Sequence, residues 1–189
     1  CMSDAMAEAI EEAEGLSLRL FEPSQSVVVI NGLDFKELDR IIATVPIRRE
    51  SLGLAADDLV LGCVTRFDPI KRVETSLETV RLLLPRIPRL HLLLVGGGGE
   101  EARIRRLVAE TGLNERVIFT GFLENSLRIY PVLDLYVSTS LKEGLPLSLV
   151  EAMGAGLAVV ATDVPGHRDL VVHDETGLLV PPEEPAALA

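Results

Sequence analysis

Residues 139–156, TSLKEGLPLSLVEAMGAG, connect a predicted strand to a predicted helix through a Gly-Leu-Pro turn. The segment before them, 133–138, is short, rich in β-formers and bounded by small polar residues, which is typical of a buried parallel strand. Pro146 can occupy the first helical position, and the apolar spacing after it predicts a helix that ends at Gly154 or Gly156. A strand, a glycine turn and a helix N-terminus in this order direct free amides at one point, where a phosphate binds well.

Two carboxylates, Glu143 and Glu151, flank this point. Carboxylates are poor phosphate ligands because both groups are negative, but they accept hydrogen bonds from hydroxyls. Phosphate and polyol together predict a nucleotide sugar as the ligand. Two alternatives involve no ligand. Ser148 and Glu151 fit the capping box S-x-x-E, in which Glu151 would only close the helix, and Glu143 would be favourable near a helix start through the dipole.

A longer run around this stretch matches a known family. Residues 134–182 contain EGLPLSLVEAMGAG (143–156), VVATD (159–163) and TGLLVPP (176–182), and this run resembles the group 1 (family 4) retaining glycosyltransferases. In that family the E-x7-E pair belongs to the donor-sugar site of a two-domain GT-B fold. The resemblance implies transfer of a sugar from a nucleotide diphosphosugar with retention, usually without a bound metal, and a part in polysaccharide biosynthesis.

Two cations bracket the loop after the first predicted strand. Arg66 ends the strand 59–66 and Lys71 opens the helix 71–84, although such a pair of charges is more often merely solvated. Residues 64–71 resemble the family's G-R-L-x-x-x-K segment, whose Arg and Lys hold the donor diphosphate, with Thr65 where the family usually has glycine. By that resemblance the catalytic residues are Arg66, Lys71 and Glu143. The cations would meet the charge of the leaving diphosphate, and Glu143 would contact hydroxyls of the donor sugar.

The resemblance also assigns the remaining donor contacts. Glu151 would contact the ribose, the amides of 144–147 the diphosphate, and the backbone of 121–123 the nucleobase. For 121–123 a plain turn is an alternative, and Phe122 fits a core aromatic equally well. The predicted donor-binding residues are Gly144, Leu145, Pro146, Leu147, Glu151, Gly121, Phe122 and Leu123.

A glycine-rich turn after the second predicted strand satisfies a different motif. Residues 97–102 fit the G-x-G-x-x-A fingerprint of dinucleotide-binding proteins. An NAD site also needs an acidic residue at the end of the next strand, where this chain has Thr120 and Gly121, so we interpret the glycines as a tight, open strand-to-helix turn. A sugar-nucleotide epimerase or dehydrogenase on a related fold, and a non-catalytic nucleotide-sugar-binding module, remain alternative functions.

Predicted strands and helices alternate along residues 59–180. The strands are 59–66, 90–95, 116–120, 133–138, 157–162 and 177–180, and helices are predicted at 46–52, 71–84, 100–111, 125–131 and from 146 on. This pattern predicts an α/β fold, a doubly wound, Rossmann-like parallel sheet of about six strands. By the resemblance it is one half of a GT-B glycosyltransferase. Ligands of such a sheet belong at the C-terminal ends of its strands.

The resemblance also divides the chain. Residues 1–24, with a predicted helix at 3–14, are interpreted as a remnant of the N-terminal domain. Residues 25–189, beginning with a strand at 25–30, are interpreted as the C-terminal nucleotide-sugar-binding domain, cut off before its final helix. Acceptor-binding groups of this family lie in the first domain, so that missing domain is an expected partner. We expect the chain alone to bind a nucleoside diphosphate weakly and to transfer no sugar.

Composition argues against several other classes. A formal charge of −11 and the lack of a Lys/Arg-rich segment with interleaved aromatics argue against nucleic acid. The longest apolar runs are far below the roughly 18 residues that span a bilayer. We therefore expect no integral membrane segment and a cytoplasmic location, with any peripheral membrane contact made by the missing domain. Two cysteines and three histidines show no metal-ligand spacing, so we expect no metal and no cofactor beyond a donor nucleotide of the UDP, GDP or ADP type.

Overall fold

The computed structural model describes residues 32–189. The helix predicted at 3–14, the strand predicted at 25–30 and the division between 1–24 and 25–189 lie outside the described residues and stay predictions.

Within residues 32–189, six parallel strands form a single sheet, as the alternating pattern predicts. They are β1 (Leu59–Val64), β2 (Leu90–Val95), β3 (Val117–Gly121), β4 (Leu135–Ser138), β5 (Ala158–Thr162) and β6 (Leu178–Val180). Their order across the sheet is β3-β2-β1-β4-β5-β6, so the chain starts at the centre, runs to one edge, and returns to run to the other. The order reverses between β1 and β4, and ligands of such sheets bind at that switch point.

Helices cover both faces of the sheet. They are α1 (Phe35–Thr44), α2 (Val73–Leu83), α3 (Glu101–Glu110), α4 (Leu147–Gly154), α5 (Pro165–Arg168) and α6 (Pro185–Leu188). One buried cluster joins α2 and α3 to the sheet through residues such as Leu77 and Ile104, and a second joins α4 to the opposite face through Leu149 and Ala152. Two separate clusters on two faces are what a doubly wound sheet requires.

The loop after β1 differs from the prediction. The strand ends at Val64 rather than Arg66, and a 3-10 helix, Pro69–Lys71, precedes α2. Arg72 separates the two helices with a left-handed φ of 48°. Pro69 starts a turn of its own because its ring fixes φ and it has no N–H for a continuous helix. Lys71 therefore lies at the end of a short turn and does not open α2.

The helices predicted at 46–52 and 125–131 are also only 3-10 turns. The first is Arg49–Leu52, which ends at Gly53 with φ 73°. The second is two turns, Ser126–Arg128 and Tyr130–Val132, and the latter has Pro near its start. The remaining strands and helices lie close to their predicted bounds.

Strand β4 begins later than predicted because Asp134 has another role. Its Oδ2 accepts hydrogen bonds from the backbone N of Val60 at 2.8 Å and from Nη2 of Arg49 at 2.7 Å. The carboxylate thus holds the N-terminal end of β1 against β4. The pairing between these central strands continues at Leu61–Leu135 and Gly62–Tyr136.

Candidate functional site

The loops after β1 and β4 meet at the switch point of the sheet. The backbone N of Leu141 donates to the carbonyl of Ile70 at 2.8 Å, and Oγ1 of Thr139 donates to the carbonyl of Lys71 at 2.9 Å. These two bonds join segments that are far apart in sequence. They bring Lys71 and Glu143, both predicted as catalytic residues, into one place.

Lys71 and Glu143 form an ion pair. Nζ of Lys71 lies 2.7 Å from Oε1 of Glu143, and the exposed fractions of the two side chains are only 19% and 11%. Oγ of Ser140 donates to the same carboxylate oxygen at 2.6 Å. Because the pair carries no net charge, both groups can be mostly buried without leaving an uncompensated charge in the interior.

Arg66, the other predicted cation, lies at the rim of the site. Its side chain is 76% exposed and bonds Asp68, with Nη2 2.6 Å from Oδ2. Nε also donates to that oxygen at 2.6 Å. The guanidinium is therefore oriented by a neighbour in its own loop and remains accessible to an anion from solvent.

The glycine-rich turn 96–99 packs against the loop that carries Arg66. A Cβ on Gly96 would lie 2.0 Å from the carbonyl oxygen of Thr65, and one on Gly98 would lie 2.4 Å from that of Phe67. Both glycines also have positive φ, at 123° and 155°. The turn is tight, as predicted, but it is closed against its neighbour rather than open. Gly96 and Gly98 thus permit two backbones to approach. The two glycines of the fingerprint do not: a Cβ on Gly97 would meet only a side-chain oxygen of Glu101 at 3.3 Å, and one on Gly99 would meet nothing within 4 Å.

A cleft of about 430 Å³ lies between the loops that follow β1, β2 and β3. Its lining is mostly apolar with a few polar groups, namely Val64, Thr65, Arg66, Val95, Gly96, Gly97, Phe122, Leu123 and Ser126. Phe122 is 86% exposed, so the interpretation as a core aromatic is wrong. Gly121 has φ 71° and turns the chain at the end of β3. An apolar cleft with few polar groups beside a cationic edge suits a flat, polar-edged ring such as a nucleobase.

Free amides lie at the start of α4, as the sequence predicts. Pro146 is the N-cap rather than the first helical residue, and it has no side chain that could cap the amides that follow. Within residues 32–189, the backbone N–H groups of Gly144, Leu145, Leu147 and Ser148 have no hydrogen-bond acceptor. An eight-residue helix with an uncapped first turn leaves these donors and the positive end of its dipole available to an anion.

The capping-box interpretation of Glu151 is wrong. Ser148 lies inside α4, not at its N-cap, and its Oγ bonds the hydroxyl of Tyr136 at 2.8 Å. Oε2 of Glu151 accepts from the hydroxyl of Tyr130 at 2.6 Å and lies 3.4 Å from Oγ of Ser126. Since Ser126 lines the cleft, the carboxylate of Glu151 lies directly behind that part of the cleft lining.

A buried histidine supports the loop that carries Glu143. His167 is fully buried, its Nδ1 donates to the carbonyl of Thr162 at 2.7 Å, and its Nε2 accepts from Oγ of Ser138 at 2.9 Å. Burial lowers the pKa of His167, because desolvation disfavours the imidazolium. Oγ1 of Thr162 donates in turn to the carbonyl of Ser140. The neutral imidazole thus fixes the strand ends from which the site loop departs.

Helix α5, which carries His167, also contacts the site loop through its backbone. A Cβ on Gly166 would lie 2.2 Å from the carbonyl oxygen of Gly144 and 2.7 Å from that of Glu143. Only glycine permits this approach. The loop between β4 and α4 is therefore held from one side by α5 and from the other by the loop after β1.

Sequence reasoning missed four residues of this arrangement: Ser126, Tyr130, Ser140 and His167. Their partners are distant in sequence or lack a motif. One weak signal was available, because the chain has only two tyrosines and both precede the site helix. By contrast, Cys63 is a buried residue with no role in the site, and burial raises the pKa of its thiol to about 12, so it is an inert core thiol.

Two further structural findings concern residues 32–189 alone. No group of three or more His, Cys, Asp or Glu side chains in that range could hold a metal ion. Nor does any helix there have the length and apolar character needed to cross a bilayer.

The sequence model described as Glycosyl transferases group 1 matches residues 45–189. The chain belongs to this family. It is 29% identical over 170 residues to the lipopolysaccharide core biosynthesis mannosyltransferase LpsB of Rhizobium meliloti, covering 86% of this chain and 48% of LpsB. The group 1 match confirms the resemblance inferred from residues 134–182.

Solved structures of glycosyltransferases share the fold. A crystal structure of Anabaena HepE in complex with UDP superposes with a TM-score of 0.80 at 27% identity, covering all of this chain and 50% of that one. The C-terminal domain of a group 1 glycosyl transferase, LpcC of Francisella tularensis, superposes with a TM-score of 0.68 at 24% identity, with 84% of each chain covered. The chain spans half or less of the length of the curated relatives it matches.

Proposed function

We propose that this chain is the donor-binding domain of a glycosyltransferase that transfers a sugar from a nucleotide diphosphosugar, with retention, to an acceptor bound by a domain outside the chain. The observation that carries the proposal is the convergence of three anion-binding features at one edge of the sheet. The exposed guanidinium of Arg66, the ammonium of Lys71 and the free amides at the start of α4 all lie there.

These groups fit the charge that develops when the bond between the sugar and the diphosphate breaks. The leaving diphosphate gains negative charge, and preorganised cations and amides stabilise that charge most where water is scarce. Lys71 already lies beside Glu143, whose carboxylate can accept hydrogen bonds from the donor sugar. The proposal thus places the diphosphate between Arg66, Lys71 and α4, with the sugar beside Glu143.

The nucleoside follows from the cleft. Its apolar wall, with Phe122 and Leu123, suits the base. Glu151 lies behind Ser126 of the cleft lining, on the side where the proposal places the ribose hydroxyls. HepE, similar in structure, is seen with UDP, so uracil is the first base to test. The name of LpsB favours a growing glycan of the cell surface as the acceptor class.

The first experiment is calorimetric titration of the 189-residue chain with UDP, GDP, ADP and pyrophosphate. We expect weak binding of at least one nucleoside diphosphate, UDP first, and weaker binding of pyrophosphate. Affinity should be low because closure against a second domain would exclude water from the phosphates. For the same reason an assay of sugar transfer should show no activity. Failure of all three nucleotides to bind would contradict the proposal.

The substitution Glu151→Gln tests the ribose assignment. The neutral amide loses a charge-assisted acceptor worth about 1.5–3 kcal/mol, so affinity for UDP should fall by roughly ten- to a hundredfold. Affinity for pyrophosphate should not change, since the cations and the α4 amides are untouched. Glu115→Gln is the matched control, because Glu115 is an exposed carboxylate just before β3, at the opposite edge of the sheet. Equal losses for UDP and pyrophosphate would show that the ribose assignment is wrong.

A further inference from the structure

Two buried tyrosines lie beneath α4. Tyr130 and Tyr136 are essentially inaccessible to solvent, and their ring centroids are 6.3 Å apart in a tilted arrangement. Both hydroxyls point toward the same helix, but they reach different groups. The hydroxyl of Tyr136 lies 2.8 Å from Oγ of Ser148 and 3.3 Å from the carbonyl oxygen of Val64. These are structural contacts between α4 and the end of β1.

The hydroxyl of Tyr130 instead reaches a carboxylate of the candidate site. It lies 2.6 Å from Oε2 of Glu151 and 3.1 Å from the carbonyl oxygen of Ser148. A hydroxyl has one proton to donate, and it donates to the carboxylate of Glu151, which is charged and lies at the shorter distance. Burial raises the pKa of Tyr130 well above its usual range, so the hydroxyl keeps its proton.

This bond leaves Glu151 with one occupied and one available oxygen. Oε2 is held by Tyr130 and lies near Ser126, while within residues 32–189 no donor reaches Oε1. A glutamate side chain free in solution samples many rotamers and loses that freedom when it binds a ligand. A buried, rigid tyrosine that fixes the carboxylate in advance removes part of this cost.

We propose that Tyr130 is a positioning residue for the nucleoside: its hydroxyl holds Oε2 of Glu151 so that Oε1 faces the cleft and accepts from a ribose hydroxyl. This rests on the proposed function, since Tyr130 acts only through Glu151. The role is absent from any local motif, because Tyr130 and Glu151 belong to different segments, a 3-10 turn and α4.

The test uses Tyr130→Phe, which keeps the ring and therefore the core packing. Its affinities for UDP and for pyrophosphate are measured by calorimetry beside those of the original chain. We expect binding of UDP to weaken by about three- to tenfold. This is less than the full effect of one hydrogen bond to a charged group, because Ser126 still lies near the carboxylate of Glu151. Binding of pyrophosphate should be unchanged, which also shows that the variant is folded.

Tyr136→Phe is the matched control. Tyr136 lies in β4, and its hydroxyl contacts α4 at Ser148 but neither oxygen of Glu151. The melting temperature of this variant should fall by an amount similar to that of Tyr130→Phe, and any change in affinity should be the same for both ligands. A loss of affinity specific to UDP in Tyr136→Phe, as large as that in Tyr130→Phe, would overturn the proposal. A shift in the position of α4 would then explain the loss in both variants without any role for the bond to Glu151.

The double variant Tyr130→Phe/Glu151→Gln separates this inference from the ribose assignment. We expect its affinity for UDP to match that of Glu151→Gln alone, since the tyrosine acts through the carboxylate. If Glu151→Gln weakens UDP binding and Tyr130→Phe does not, the ribose assignment stands and the positioning role is wrong. If neither single variant weakens UDP binding, both are wrong.

Discussion

Glu143 and Glu151 lie at the same edge of the sheet, but they are held by opposite means. Glu143 lies on a loop, and its carboxylate is balanced by the ammonium of Lys71 at 2.7 Å. Glu151 lies on α4, and among the described residues its carboxylate meets only neutral hydroxyls, the nearer at 2.6 Å. The first arrangement cancels charge, so removal of one partner alone should destabilise the fold. The second leaves a carboxylate with a net negative charge, which can accept hydrogen bonds from the hydroxyl groups of a ligand.

The comparison predicts that stability depends on the partner of Glu143 more than on any other single group at the site. Lys71→Met keeps most of the length of the side chain but leaves a nearly buried carboxylate without its counter-charge. The free energy of unfolding should fall by about 3 kcal/mol, the low end for breaking a buried pair, because both side chains keep some solvent contact. Urea denaturation of the two chains measures the difference.

Two controls accompany this variant. Arg66→Met removes the exposed cation of the same edge and should change stability by no more than about 1 kcal/mol, because surface ion pairs contribute little. Lys71→Met/Glu143→Gln removes both charges and should recover part of the loss. If Lys71→Met is as stable as Arg66→Met, the contrast drawn between the two carboxylates is wrong.

The difference between the two regions also shows what the sequence could and could not predict. Alternating strands and helices predicted the parallel sheet, because period and apolar runs are local. The strand order was not predicted, since spacing along the chain does not say which strands are neighbours. The proximity of Lys71 and Glu143 followed from the rule that strand ends share an edge.

The partners of Glu151 could not be predicted. A local motif gave the wrong alternative, since Pro146 rather than Ser148 is the N-cap and Ser148 bonds Tyr136 instead. Tyr130 reaches Glu151 through a fold-level contact between separate elements, which no short pattern encodes. The catalytic and donor-binding roles of the site residues stay predictions until the titrations are done.

A second variant acts on the Glu143 loop alone. Gly166→Ala would place a Cβ 2.2 Å from the carbonyl oxygen of Gly144, so α5 or the loop must move. Such overpacking should lower the free energy of unfolding by about 2 kcal/mol and weaken pyrophosphate and UDP binding alike, because the α4 amides follow this loop. Gly99→Ala is the control, since a Cβ there meets nothing within 4 Å, and its stability should be close to that of the original chain. Loss of UDP binding with pyrophosphate binding retained would contradict the prediction.

The smallest expected effect is a pH dependence of stability that arises at the Glu143 loop and not at Glu151. The Glu143 loop rests on His167, whose pKa is lowered by burial from its ordinary value of 6.5, whereas Glu151 is held by Tyr130, whose pKa is raised. The unfolded chain takes up the histidine proton more readily than the folded one. Stability is therefore fully present above about pH 6.5 and falls as the pH drops through 6.5 toward the lower folded pKa, by at most about 1.4 kcal/mol per pH unit per histidine.

Urea denaturation at several values between pH 7 and pH 5 measures this slope, and His167→Gln should reduce it. His91, at the start of β2, also has a pKa lowered by burial. The contribution of His91 to the slope should therefore remain in His167→Gln, and that of His167 should remain in His91→Gln. The two histidines differ in what they support, because only His167 contacts the strand ends that carry the Glu143 loop. Lowering the pH should therefore weaken pyrophosphate binding in His91→Gln but much less in His167→Gln. An equal pH dependence of pyrophosphate binding in both variants would mean that the buried imidazole stabilises the fold without controlling the site loop.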